Sequence, residues 1–262
     1  MRRAGLLLVA LSAALWVPAA GTGGTVDRGA ATAHSAKVRP LVLRERCVTA
    51  AERRRIVRFR AIDGVRLIGV EFGRGTRGVI LAHQGGAPPN LCGWVPYARA
   101  LARAGYRVLV FDHRGFGSSG RASHWRRTDR VDFDVLGAIR TLRSRGAQSI
   151  VLGGASLGGA AVLAAAAQAT PAVDGVISFS SPQIYVNVNA FAAVRALRVP
   201  ALFLAQEDDE PFDDDARAMY EACASTEKRL EVTAGPEHGF RLLQTAATRG
   251  LVDAFIAGHS TP

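Results

Sequence analysis

Apolar and polar positions change their pattern along this chain in a regular way from about residue 56 onward. Short apolar runs are separated by longer amphipathic stretches. Five of these runs are continuous rather than alternating, which is typical of strands covered on both faces of a sheet. The five runs are residues 79–82, 108–111, 150–153, 176–179 and 201–205, and a last strand is predicted near residues 230–232.

The stretches between the runs have the periodicity of helices. They cover residues 94–104, 131–145, 157–169 and 214–224, followed by a closing helix from about 240 to 257. Strand and helix alternating this many times predict an α/β fold, with a mostly parallel central sheet and helices on both faces. Ligands of such sheets bind where the strands end, so we expect the chemistry in the loops after the runs.

An antiparallel hairpin is predicted ahead of the parallel sheet. Residues 56–61 alternate polar and apolar side chains, and residues 65–72 form a second strand. Asp63-Gly64 between them is a turn signal typical of hairpins.

Length and composition are those of a globular domain. The chain has 262 residues, of which 48% are hydrophobic and 21% charged. These values exclude a disordered chain, a collagen and a disulfide-dense miniprotein. The simplest organisation is one α/β domain over residues 56–258, preceded by a basic flexible arm over residues 22–55.

The formal net charge of +11 is concentrated at the N-terminus. Residues 1–60 hold 12 Lys and Arg against 3 Asp and Glu, whereas residues 61–262 hold 21 against 19. The domain itself is nearly neutral, so no nucleic-acid partner is predicted. Arg53-Arg54-Arg55 is typical of a solvated stretch, and contact with phosphate or anionic lipid is the alternative.

Residues 1–21 have the three parts of a secretory signal. Arg2 and Arg3 precede an apolar run from Ala4 to Val17, and Pro18-Ala19-Ala20-Gly21 follows it. This run is short for crossing a hydrocarbon layer of ~30 Å. We therefore expect export to the cell envelope or beyond, and an uncleaved N-terminal membrane anchor is the alternative.

Three cysteines allow one disulfide and one free thiol. An exported protein would meet the oxidising surroundings that a disulfide needs. The sequence leaves the pairing open and favours Cys47 with Cys92, because Cys223 lies on the apolar face of a predicted helix. No cysteine or histidine cluster predicts a metal site.

The strongest chemical signal is a Gly-x-Ser-x-Gly motif between a strand and a helix. Gly154, Ser156 and Gly158 follow the run at 150–153 directly and precede an Ala-rich helix. This context is that of a nucleophile elbow, in which a serine stands on a tight turn and its neighbours must be glycine. Ser156 is therefore the predicted nucleophile.

A serine nucleophile requires a base, and the base requires a carboxylate. Of the six histidines, His238 alone lies in a loop after the last strand, at the same sheet edge as Ser156. Residues 207–210 are four acids in succession after the strand at 201–205. Asp209 is the preferred triad acid, and Asp208 is the alternative.

The order Ser156, Asp209, His238 on alternating strands and helices resembles the α/β-hydrolase fold superfamily over residues 56–258. That family typically places its acid three positions after a glycine, and Gln206 occupies the glycine position here. Residues 101–108 and 112–119 are also similar to family segments, which are scaffold rather than catalytic.

The resemblance also implies an oxyanion hole. One donor is the backbone N–H of Leu157, directly after the nucleophile. The family's His-Gly-x-Gly loop corresponds to His83-Gln84-Gly85-Gly86, so Gly85 would give the second donor and His83 would hold the loop. Gln84 replaces a glycine, and its side chain is a candidate for substrate binding.

These residues together predict a serine hydrolase that cleaves carboxylic esters through an acyl-enzyme and needs no cofactor or metal. A peptidase or acyltransferase would use the same residues, and a non-catalytic binding protein on this fold is a further alternative. About twenty residues separate Phe179 from Pro200, so the cap is minimal and the cleft open to small-molecule acyl esters. Resemblance is greatest to dienelactone-hydrolase-like and monoglyceride-lipase-like enzymes. The oligomeric state stays open.

Overall fold

A sheet of eight strands runs through the centre of the computed structural model, which describes residues 39–124 and 129–261. The described residues form ten strands, of which eight belong to this sheet. They are β1 Ile56–Arg60, β2 Arg66–Phe72, β3 Arg77–Ala82, β4 Arg107–Phe111, β5 Ser149–Ala155, β6 Gly175–Phe179, β7 Ile184–Tyr185, β8 Val188–Asn189, β9 Ala201–Gln206 and β10 Lys228–Thr233. Their order in the sheet is β1-β2-β4-β3-β5-β6-β9-β10, and β7 with β8 forms a separate hairpin. β1 and β2 are antiparallel, β2 is antiparallel to β4, and the remaining neighbours are parallel.

Helices cover both faces of this sheet. They are α1 Ala50–Arg53, α2 Val95–Arg103, α3 Val131–Ser144, α4 Leu157–Gln168, α5 Ala190–Val194, α6 Phe212–Ala222 and α7 Ala246–His259, with 3₁₀ turns at Leu91–Trp94 and Gly239–Gln244. α3 to α6 share one apolar cluster, and α2 and α7 share the other. The predicted fold class is thereby confirmed, including the hairpin at the N-terminal edge.

The continuous apolar runs are explained by this two-sided burial. Successive side chains of a strand point to opposite faces. In β3, Val79 and Leu81 pack into the cluster with α2, whereas Ile80 and Ala82 pack into the cluster with α4. Both sets must therefore be apolar. The helix α4, which lies against the middle of the sheet, is buried from Leu157 to Ala166 for the same reason.

The secondary structure differs in detail from the prediction in two regions, the closing helix and the cap. The closing helix expected over residues 240–257 is a 3₁₀ turn followed by α7, because the side chain of Thr245 accepts a hydrogen bond from the N–H of Thr248 and begins a new helix there. The cap between β6 and β9, expected to be minimal, contains the β7–β8 hairpin and the short helix α5. Asn189 caps α5 through a hydrogen bond from the N–H of Ala192.

The basic arm predicted over residues 22–55 is too long at its C-terminal end. Residues 22–38, like the predicted signal at 1–21, lie outside the described residues. From Pro40 onward the chain belongs to the compact unit that contains the sheet. Leu43 and Val48 are 2% and 4% exposed and pack into the cluster with α2. The segment is therefore part of the domain rather than a flexible arm.

Polar contacts fix this segment as well. Arg99 of α2 donates to both carboxylate oxygens of Glu52 at 2.7 and 2.9 Å and to the carbonyl of Cys47 at 2.9 Å. The hydrogen bonds from Arg99 hold the pKa of Glu52 down at about 2. Glu45 accepts from the hydroxyl of Ser118. Because these partners lie far away along the chain, the local pattern of residues 40–55 does not reveal them.

A disulfide between Cys47 and Cys92 ties the same segment to the 3₁₀ turn before α2, and Cys223 is a free, buried thiol at the end of α6. The pairing favoured from the sequence is the one found. Among residues 39–124 and 129–261, no helix has the length and apolar character required to span a membrane.

We expect the double substitution of Cys47 and Cys92 by serine to lower the free energy of unfolding by about 2–4 kcal/mol, because the crosslink restricts the unfolded chain across 45 residues of sequence separation. Urea denaturation followed by tryptophan fluorescence measures this difference. Reductant should destabilise the wild type and leave the double variant unchanged. A wild type insensitive to reductant would contradict the expectation.

Candidate active site

Ser156 stands on a strained turn at the carboxyl end of the central strand β5. Its φ is +52°, in the left-handed region that side chains rarely adopt. The N–H of Ser156 donates to the carbonyl of Phe179 at 2.8 Å, and its carbonyl accepts from Ala160 in the first turn of α4. Between Ser149 and Ala166, Ser156 is the one residue that is not buried. The turn therefore presents this serine to solvent.

The two motif glycines make the turn fit. A Cβ at Gly154 would lie 2.1 Å from the carbonyl oxygen of Gly158, and one at Gly158 would lie 2.3 Å from the carbonyl oxygen of Ala82 in β3. Both distances are far below van der Waals contact. The helix α4 can start directly after β5 and beside β3 only with glycine at these positions.

His238 and Asp209 form a hydrogen-bonded pair at the same edge of the sheet. Nδ1 of His238 lies 3.0 Å from both carboxylate oxygens of Asp209, which is 8% exposed. An ionised carboxylate only accepts, so Nδ1 of His238 is the donor in this pair and Nε2 takes no part in it. The ring of Phe212 packs against the imidazole at a centroid distance of 4.5 Å. Asp208, the alternative acid, is exposed.

Gly239, the residue after His238, lies next to the serine turn and brings the Asp209–His238 pair close to it. A Cβ at Gly239 would lie 3.2 Å from the Cβ of Ala155, the residue directly before Ser156. The N–H of Gly239 donates to the hydroxyl of Ser180, directly after β6. The three residues predicted as a triad thus come from the ends of β5, β9 and β10. Among the described residues, the structure records no hydrogen bond between the hydroxyl of Ser156 and His238.

The predicted oxyanion loop lies beside the first turn of α4. A Cβ at Gly85 would lie 2.8 Å from Cδ2 of Leu157, so the two residues are adjacent. The N–H of Leu157 is at the first position of α4, where backbone donors lack partners within the helix. The helix dipole also favours negative charge here.

His83 is held as a neutral, buried ring behind this loop. Its Nδ1 donates to the carbonyl of Gln84 at 2.7 Å, and its Nε2 accepts from the N–H of His113 at 3.0 Å. Burial, with the nearby His113 in addition, lowers the pKa of His83 to about 3. These contacts are those of a residue that fixes the loop.

The neighbouring charged residues of the 112–119 segment are engaged in scaffold contacts. Arg114 is fully buried and pairs with Asp134 and Asp63 at 2.7–2.8 Å. Asp112 accepts from the N–H groups of Leu91 and Ser118. Burial and the nearby Glu45 raise the pKa of Asp112 to about 7.

Sequence reasoning missed three side chains near the site. Phe212 packs on the imidazole, Ser180 contacts the loop of His238, and Gln206 contacts that loop from β9. Gln206 was noticed only as a departure from a family pattern. A polar residue directly after an apolar run is the sequence signal that could have identified Ser180.

Known proteins resemble this chain in sequence and in structure. The family model described as serine aminopeptidase, S33, matches residues 92–197. Epoxide hydrolase A of Mycobacterium tuberculosis is 35% identical over 147 residues, which are 55% of this chain and 38% of that protein. This chain therefore spans little more than a third of that relative.

Solved structures show the same fold at low sequence identity. The esterase Pf2001 of Pyrococcus furiosus has a TM-score of 0.66 at 17% identity, covering 79% of this chain and 92% of that one. The esterase domain of a Rhodothermus marinus protein has a TM-score of 0.59 at 23% identity, covering 77% and 95%. A monoacylglycerol lipase of Paleococcus ferrophilus has a TM-score of 0.58 at 17% identity, covering 73% and 98%.

We expect Gly158→Ala to lower the free energy of unfolding by about 1–3 kcal/mol, because the added methyl group collides with the backbone of β3. Gly250→Ala is the matched control. Gly250 lies within α7, and no atom outside its own helix lies within 4 Å of an added Cβ, so alanine should stabilise the protein by about 0.5–1 kcal/mol. Chemical denaturation of both variants measures the two effects. If the two variants had equal free energies of unfolding, the close packing of Gly158 against β3 would be contradicted.

Proposed function

We propose that this chain, a member of the α/β-hydrolase fold superfamily, is a serine hydrolase that cleaves carboxylic esters of small molecules. The carboxylate–imidazole pair of Asp209 and His238, at the sheet edge where Ser156 is the partly exposed residue of an otherwise buried turn, carries this proposal. A general base oriented by a carboxylate is what a serine hydroxyl requires to attack a carbonyl carbon.

The reaction proceeds in two steps. Nε2 of His238 takes the proton of Ser156 as the hydroxyl oxygen attacks the ester carbonyl, and the N–H groups of Leu157 and Gly85 receive the developing oxyanion. The alcohol leaves with the proton from His238, and Ser156 keeps the acyl group. Water then attacks the acyl-enzyme by the same route, giving the carboxylic acid and the free serine. Asp209 stays ionised and stabilises the imidazolium.

No hydrogen bond between Ser156 and His238 is recorded among the described residues, and the mechanism does not require one before the substrate binds. Catalytic hydrogen bonds are often long in an enzyme without substrate and shorten when the substrate is bound. Gly239, which adjoins His238, packs against Ala155 and keeps the two segments neighbours.

Acyl chemistry is favoured over the epoxide opening named for the Mycobacterium tuberculosis relative. A serine oxygen that opened an epoxide would form an ether, which offers water no carbonyl carbon for releasing the product. A serine oxygen that attacks an ester forms a new ester, which water can hydrolyse. The hydroxyl at position 156 therefore supports acyl transfer.

The small cap supports substrates with a short acyl group. Between β6 and β9 it consists of the β7–β8 hairpin and the five residues of α5. Little protein is thus available to enclose a long chain. Gln84, the substrate contact expected from the sequence, is buried, and its Oε1 accepts from the N–H of Phe240.

Export of the protein is part of the same proposal. The Cys47–Cys92 disulfide supports an oxidising compartment, as does the signal-like composition of residues 1–21. A membrane anchor at these residues is the alternative, and fractionation of producing cells distinguishes the two.

A fluorophosphonate probe should label the wild type and not Ser156→Ala, whose turnover of p-nitrophenyl acetate should fall by a factor on the order of 10⁴ or more. Ser144→Ala, at the exposed end of α3, is the control and should behave as the wild type. If the wild type is neither labelled nor active on short p-nitrophenyl esters, aminoacyl amides or acyl acceptors, the enzyme proposal fails. Epoxide turnover without ester turnover would overturn the acyl mechanism.

Substitution of the neighbouring acids separates their roles. Asp209→Asn should reduce kcat by a factor on the order of 10³–10⁴, because the amide no longer holds Nδ1–H of His238 in place. Asp208→Asn changes the same charge one residue away, on an exposed side chain, and should leave kcat within about threefold of the wild type. The reverse result would move the triad acid to Asp208. Circular dichroism verifies that both variants fold.

A further inference from the structure

The loop that carries His238 has no regular structure of its own. Residues 234–240, called here the histidine loop, lie between the end of β10 and the 3₁₀ turn at Gly239–Gln244, and share two residues with that turn. Backbone N–H groups that neither helix nor strand satisfies need other acceptors when they are buried. The position of the imidazole therefore depends on where the loop finds them.

Three side chains supply these acceptors, and they flank His238 on both sides. Oε1 of Gln206 accepts from the N–H of Glu237 at 2.7 Å, and the hydroxyl of Ser180 accepts from the N–H of Gly239 at 3.0 Å. Oε1 of Gln84 accepts from the N–H of Phe240 at 3.4 Å. The three acceptors come from the ends of β9, β6 and β3.

All three acceptors are buried. Gln206, Ser180 and Gln84 are 3%, 0% and 4% exposed. Water is therefore a poor substitute for the N–H groups that they accept from, and a loop that shifted would leave these buried acceptors unpaired. Gln206 also contacts the strand that leads into the loop, because its Nε2 lies 3.4 Å from the hydroxyl of Thr233 at the end of β10.

The loop is shaped to receive the two glutamines. A Cβ at Gly235 would lie 2.5 Å from Oε1 of Gln206, and a Cβ at Gly239 would lie 2.1 Å from Oε1 of Gln84. Both glycines also have positive φ angles, of +123° and +63°. Each glutamine thus fills space that a side chain of the loop would otherwise need. Both glutamines stand where the resemblance to the superfamily would place glycine.

We propose that Gln206 and Gln84, with Ser180 between them, are positioning residues that fix His238 for proton transfer by anchoring the histidine loop on both sides of that residue. They touch neither Ser156 nor Asp209 through a side-chain hydrogen bond recorded among the described residues, and they act through the backbone of Glu237 and Phe240. This inference rests on the proposed serine hydrolase. A displacement of about 1 Å in a reacting group can reduce a rate by about 100-fold.

The kinetic test compares Gln206→Met with Gln206→Glu. Methionine keeps the length of the side chain and removes the acceptor, so kcat on p-nitrophenyl acetate should fall by about 10- to 100-fold while KM changes by less than about threefold. Glutamate keeps an acceptor oxygen and should restore kcat to within about fivefold of the wild type. Gln148→Met is the matched control, because Gln148 is exposed and precedes β5 at the opposite end of the sheet.

Amide hydrogen exchange gives a readout that does not need activity. The N–H of Glu237 should lose protection in Gln206→Met, and the N–H of Phe240 in Gln84→Met, each by about tenfold or more, while amides of β5 stay protected in both. Global loss of protection would mark a variant that fails to fold. If Gln206→Met fails to fold, the kcat of Gln206→Glu relative to that of the wild type tests the proposal instead.

Each outcome bears on a separate claim. If the wild type has no acyl activity but Glu237 and Phe240 lose protection selectively, the proposed function fails and the anchoring stands. If these amides exchange alike in the wild type and both methionine variants, the anchoring is overturned. A folded Gln206→Met enzyme with wild-type kcat, or a folded Gln206→Glu enzyme that is as slow as Gln206→Met, also overturns it.

Discussion

Close backbone approach at the turn between β5 and α4 is the constraint on which the rest of the site depends. The carbonyl oxygens of Gly158 and Ala82 occupy the space where side chains at Gly154 and Gly158 would otherwise lie. This packing holds Ser156 at a positive φ and leaves its side chain accessible at the end of a buried strand. It also places the first free N–H group of α4 beside the loop at Gly85. This close backbone packing therefore fixes the positions of both the predicted nucleophile and the predicted anion site.

The histidine side of the site is built in the opposite way. The serine turn is held by the backbone of its own strand and helix, whereas the histidine loop borrows its acceptors from Gln206, Ser180 and Gln84. Parallel strands make this arrangement available, because their carboxyl ends meet at one edge and can offer side chains to a common loop. The position of the imidazole thus depends on long-range contacts, so a substitution of the acceptor at the end of any of these three strands should shift it.

This difference explains how much could be predicted from the sequence. Five of the eight strands in the central sheet were predicted because their runs, such as residues 79–82, are apolar on both faces. The hairpin strands were predicted from the alternation of residues 56–61 and the Asp63-Gly64 turn. Ser156 was predicted as the nucleophile because its turn needs glycine at fixed spacing. The packing of residues 40–55 was missed, since it depends on Arg99 and on a disulfide to Cys92 rather than on local periodicity. The roles of Gln206 and Ser180 were missed for the same reason.

Gln206 also bears on why the carboxylate that contacts His238 could be identified only with coordinates. Backbone contacts tie the acid loop to the histidine loop, since the N–H of Asp208 donates to the carbonyl of Gly235 and that of Glu207 to the carbonyl of Thr233. Gln206 adds its side-chain bond to Glu237 on the other side. With both loops clamped in this register, the inward position falls to Asp209, and the side chain of Asp208 faces solvent. The residue at the strand end thus sets which carboxylate meets the imidazole, although it takes no part in the chemistry.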